Sequence, residues 1–148
     1  MLGAHLVRLI EKHAEELANG LTDKLRRCER TSGFRKLSRE ELQHGAADLY
    51  RNLGDWLLTK TDSDIELRYT RLGAHRAAQG VSSSQIVWAI LMSKEHLWAF
   101  LQRESIADRA FELYGELEML RLLDQFFDRA AYYSIVGMEQ GEAAKEAA

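Results

Sequence analysis

At 148 residues, 46% hydrophobic and 29% charged, the chain has the size and composition of one globular domain with a core of its own. It has no proline, where average usage of about 5% gives about seven, and few hairpin-type turn dipeptides, which argues against a sandwich or barrel. A formal charge of −3 gives no bias toward nucleic acid or acidic membranes, and the lone Cys28 excludes an internal disulfide and suits a reducing compartment.

No apolar run approaches the roughly 18 residues of a membrane span. Leu6 to Ile10, interrupted by Arg8, is too short for the apolar part of a signal peptide. The expectation is an all-α domain in the cytoplasm, a compact bundle of about five main helices.

The first helix is predicted from the stripe Leu6, Ile10, His13, Leu17, Leu21, Leu25 and Cys28, with Gly33 as its left-handed stop. Ser38 and Glu41 form a capping-box pattern that opens a second helix, whose stripe runs from Leu42 through Trp56 and Leu57 to the end near Lys60. Thr61 to Asp64 offers several caps for a third helix bearing Ile65, Tyr69 and Leu72 and ending at Gly80. Ser82 and Gln85 repeat the capping-box spacing before a fourth helix with Ile86, Ile90, Leu97 and Leu101.

The fifth and longest helix is predicted from about Ile106 toward Val136. Its stripe of Ala110, Leu113, Leu117, Leu120, Leu123, Phe127 and Ala130 is broadened by Phe111, Tyr114, Leu122, Phe126, Tyr132 and Tyr133, beyond what one packing face needs. That breadth places the helix either at the centre of the bundle or at a homodimer interface. The dimer reading takes Phe126, Phe127, Tyr132 and Tyr133 as its contacts, since aromatics are enriched in interface cores. The domain is drawn as residues 1–137. The tail 138–148 loses apolar periodicity but keeps helix propensity, as a frayed end or the start of a helical linker.

Chemistry-bearing constellations are few. Glu41 and His44 have the Glu-x-x-His spacing of di-iron bundles, but a second such motif is missing and Glu41 is explained as a cap, so no metal site is expected. His96, mid-helix with Met92 and Phe100 one turn away on either side, is a weak haem-ligand candidate. Residues 76–86 resemble a helix-turn-helix around Gly80-Val81-Ser82. Arg76 occupies a position where that motif wants a small residue, however, and Ser83 to Ser93 carries no Lys or Arg for phosphate contacts. The serines sit mainly at helix starts, and no catalytic residue is predicted. Arg68, Arg71 and Arg76, with Gln79, are ligand or anion candidates, because a guanidinium near a core must be paired or bind an anion.

The stretch Tyr69 to Val81, with Arg71-Leu72-Gly73, Arg76-Ala77 and Gln79-Gly80, resembles the N-terminal domain of RsbR-type stressosome sensors. Phe34 to Leu42 is similar to the opening of that family's second helix, and the Trp98 neighbourhood also fits; the resemblance covers roughly residues 15–130. It implies a globin-like fold without haem or other cofactor and without enzymatic residues. It also implies a homodimer that passes a stress signal to a downstream effector domain or signalling protein, such as a STAS domain or histidine kinase. No membrane or nucleic-acid partner is expected. A haem-binding globin-type sensor and a helix-turn-helix DNA binder stand as the alternatives.

Overall fold

The computed structural model describes residues 4–104 and 110–147, with side chains over 5–104 and 117–143. The first apolar stripe is carried by two helices, α1 (Ala4–Lys12) and α2 (Ala14–Arg27). They meet at His13, whose N–H is shared between Leu9 O and Ile10 O at 3.2 and 3.1 Å. The stripe survives the break, with Leu6, Ile10, Leu17 and Leu21 all buried.

α2 stops at Cys28, five residues before the predicted Gly33, because buried Thr31 folds back on its end. The Thr31 hydroxyl donates to Leu25 O at 2.7 Å, satisfying a carbonyl that the helix leaves open. Gly33 lies instead within a 3-10 segment (Glu29–Lys36), and its N–H donates to Gln85 Oε1 at 2.6 Å. A Cβ there would strike the Gln85 amide, so this glycine allows a close approach and not a left-handed turn.

α3 (Arg39–Arg51) opens as predicted, with Ser38 Oγ accepting from Glu41 N–H at 3.1 Å. A break at Asn52 separates it from the short α4 (Leu53–Leu58). α5 (Asp62–Ala78) starts on a complete capping box: Asp64 N–H donates to Thr61 Oγ1 at 3.3 Å and Thr61 N–H to Asp64 Oδ2 at 2.8 Å. Gly80, with φ +86°, makes the expected left-handed turn into α6 (Ser83–Arg103). Ser82 stands at the N-cap, but its hydroxyl makes no capping bond; it lies 3.4 Å from Ser84 Oγ, and Gln85 is committed to Gly33.

The last helix, α7 (Ala110–Ala147), is 38 residues long. Its predicted start near Ile106 and the side chains of Phe111 and Tyr114 lie outside the described residues. It does not stop near Val136 but runs unbroken through Gly137 and Gly141, because both glycines lie against α5. α5 and α7 run parallel: Asp62 meets Arg129 and Tyr133, Thr70 meets Gly137, and Ala74 meets Gly141. At the crossing, Gly73 rests on the Ser134 carbonyl and Gly137 on the Thr70 carbonyl, so the two backbones touch where a side chain would hold them apart. Tyr50, Leu53, Leu97, Phe100, Leu101 and Leu123 fill the centre of this all-α bundle, and the described residues include no strand.

Candidate functional site

Two of the three arginines of α5, Arg68 and Arg76, face α3, and their charges are matched there. Arg76, only 9% exposed, donates to Gln79 Oε1 at 2.9 Å and lies 3.3 Å from Glu41 Oε1. Gln79 Nε2 donates to both Glu41 oxygens at 3.1 Å, and His75 Nε2 stands 3.1 Å from Oε1. One carboxylate thus gathers three side chains from the end of α5, which is why it does not turn back to complete the Ser38 capping box. The His75 bond, helped by Gln79 and by the charge and bond of Arg76, holds the Glu41 carboxyl below its ordinary range against the effect of burial. Burial draws Arg76 down and Glu41 opposes it; the guanidinium stays charged.

A second ion pair lies further along the same two helices. Arg68 is 3.2 Å from Asp48, and its guanidinium stands 5.2 Å from the centre of the Trp56 ring and 5.8 Å from that of Tyr69. Glu41, Gly45 and Asp48 fall on one face of α3 by their i, i+4, i+7 spacing, and Arg68, Leu72 and Arg76 fall on one face of α5. Since Glu41 pairs with Arg76 and Asp48 with Arg68, the helices are antiparallel and tied at two points along one seam.

Behind the seam is a cavity of about 140 Å³, walled mainly by apolar side chains from α2, α3, α5, α6, α7 and the 3-10 segment. Arg68, Tyr69, Arg76 and Ser93 are its polar members. Burial pushes the Tyr69 phenol up to about 12, and the Ser93 hydroxyl donates to Ala89 O at 2.9 Å. Of the four predicted ligand candidates, Arg68 and Arg76 share the cavity wall and Gln79 binds Arg76 outside it, with carboxylates already facing the two arginines. Arg71 is exposed and is not part of the cavity wall. Glu41, Asp48 and Gly45 were not among the predicted site residues; the charge–small–charge spacing on α3, matched on α5, is the signal that points to them.

The other candidates are placed elsewhere. His96 is 7% exposed, its Nε2–H donating to Leu17 O at 3.0 Å and its Nδ1 accepting from Lys24 Nζ at 2.8 Å. Burial and the nearby Lys24 charge lower its pKa, so the ring is neutral. Both nitrogens are hydrogen-bonded within the fold, whereas haem iron needs a free lone pair. Phe126 and Phe127, 2% and 3% exposed, pack inside the chain in a cluster with Trp56 and Tyr69. Tyr133 donates its hydroxyl to Asp62 Oδ2 at 2.6 Å, while Tyr132 projects outward at 65% exposure. In the helix-turn-helix candidate, Ile86 and Ala89 of the would-be reading helix are buried in the bundle.

The family model of the RsbT co-antagonist protein rsbRD N-terminal domain matches residues 14–146. The chain belongs to this RsbRD N-terminal domain family. The match is wider than the roughly 15–130 covered by the sequence resemblance, and it takes in the part of α7 beyond Gly137. RsbRD N-terminal membership makes this a sensory domain of the stressosome type, from a family that is generally non-enzymatic. No curated protein and no solved structure matches the chain. No helix among the described residues is long and apolar enough to cross a membrane.

Proposed function

We propose that the chain is the input module of a cytoplasmic stress-signalling protein, without catalysis or cofactor of its own, that works as a homodimer and transmits through α7 to a downstream effector. The observation that carries this reading is the course of α7. One stretch of it contributes Phe126, Phe127 and Ala130 to the core, the next lies backbone to backbone on α5 at Gly137, and the helix then continues to Ala147 without a break. At about 1.5 Å per residue it is about 57 Å long, well beyond the width of the bundle it crosses. A shift between two packings of α5 on α7 would be carried along such a rod as translation or rotation, and packed interfaces favour discrete alternatives over continuous deformation.

In this reading the domain of residues 1–137 grades into its linker within the tail 138–148, with Met138 and Gly141 still packed. The outward ring of Tyr132 takes the interface role first given to the aromatic group, with Tyr133 held beside it at 5.3 Å between ring centres. Sedimentation equilibrium at micromolar concentration tests the dimer. The unmodified chain is expected to sediment as a dimer and Tyr132→Lys as a folded monomer; a monomeric unmodified chain, or a variant that still dimerises, overturns the arrangement.

A further inference from the structure

The cavity behind the α3–α5 seam has three properties that together specify a ligand. Its size, about 140 Å³, is close to that of engineered apolar cavities that take up benzene or xenon. Its wall is apolar over most of its extent, with Leu25, Leu49, Ile90 and Phe127 from four different helices. Its two charged members are neutralised by carboxylates outside it, Arg68 by Asp48 and Arg76 by Glu41. A charged ligand would have to displace one of these carboxylates; an uncharged apolar one leaves both pairs intact and removes its own surface from water.

A second observation concerns the way in. Gly45 lies mid-helix in α3, where glycine costs roughly 1 kcal/mol relative to alanine. Nothing in the packing requires it: a Cβ there would meet no atom within 4 Å. Gly45 nevertheless belongs to the cavity wall and sits on the face of α3 between the two tied carboxylates, with Leu72 the corresponding residue on α5. The missing side chain leaves the seam open midway between its two ion pairs.

We propose that this cavity is a binding site for a small uncharged apolar molecule, of the size of a single aromatic ring or a short hydrocarbon chain, admitted between α3 and α5 past Gly45. The ligand touches α7 through Phe127 and Ala130, and α5 through Tyr69 and Leu72, so occupancy bears on the same helix pair that transmission uses. The binding claim rests on the sensory reading only for its biological purpose.

The test uses the 148-residue chain with benzene as probe and benzoate as its charged counterpart, read by thermal unfolding and by amide chemical shifts. Benzene is expected to raise the unfolding midpoint and to shift the signals of Leu25, Leu49, Ile90 and Phe127, while benzoate does neither. Gly45→Leu, which puts a side chain into the gap in a helix that tolerates it, is expected to keep the fold and weaken benzene binding by about tenfold or more, as for an overfilled apolar pocket. Xenon uptake by the unmodified chain, seen by xenon NMR, gives a readout independent of any substitution. No response to either benzene or xenon overturns the site; a response to benzoate instead of benzene overturns the uncharged class; undiminished binding in folded Gly45→Leu overturns the place of Gly45 in the wall, and an unchanged rate of benzene exchange in that variant overturns the route. None of these outcomes depends on the oligomeric state, so failure here and failure of the dimer are told apart.

Discussion

Glu41 shows how one side chain can answer to two scales at once. Its backbone N–H completes the Ser38 cap, while its carboxylate binds Arg76, Gln79 and His75 on another helix. Only the first role is visible in the sequence, because a cap is local and a partner 35 residues away is not. The same competition decides Gln85, whose spacing from Ser82 suits a capping box but whose amide is drawn to Gly33. Gly80 was legible, since a left-handed residue between two helices needs no distant partner. Glu41→Gln leaves Arg76 with weaker compensation and is expected to cost about 1 kcal/mol at neutral pH, kept small by the partial exposure of the carboxylate. Because the folded carboxyl titrates below its unfolded value, its stabilisation is complete above the ordinary carboxylate range and is lost as pH falls through the folded value. Urea midpoints of the two proteins should therefore differ at neutral pH and converge only on the acid side.

Among elements, periodicity located the helices, and the differences arise where tertiary contact decides a boundary or a face. His13 divides the first stripe, Asn52 the second, and the last helix runs on past Val136 through Gly137 and Gly141. The broad apolar girth of α7 suits either a central helix or an interface. Phe126 and Phe127 place that part of it at the centre, and Tyr132 is the outward residue of the aromatic group. Mid-helix glycines give a direct test, because the same substitution should have opposite signs at two of them. Gly45→Ala meets open space and is expected to stabilise by up to about 1 kcal/mol through helix propensity. Gly137→Ala drives a methyl into the Thr70 carbonyl and is expected to destabilise by roughly 1–3 kcal/mol. Chemical denaturation of the two variants beside the unmodified chain measures both; a stabilising Gly137→Ala would show that the α5–α7 contact is not as close as described, and a destabilising Gly45→Ala that the space beside Gly45 is not open.

For the whole molecule, the all-α class was legible from composition and patterning, and the family from the segment around Gly80. The cavity was not, since its wall draws on residues from Leu21 to Ala130 that only folding assembles. The limit of the packed unit is testable by truncation. Ending the chain after Gly141 keeps buried Met138 and the Gly141 contact with Ala74, and is expected to leave the unfolding midpoint unchanged. Ending it after Gly137 removes Met138 and is expected to cost roughly 2–4 kcal/mol, comparable to emptying a buried methionine site. The backbone contact at Gly137 also makes α7 a balance beam. Phe127, on the cavity, and Ala147, at the end of the helix, each lie ten residues from that fulcrum, arms of about 15 Å on either side. A rigid beam tilting there returns at Ala147 the displacement imposed at Phe127, equal in size and opposite in direction.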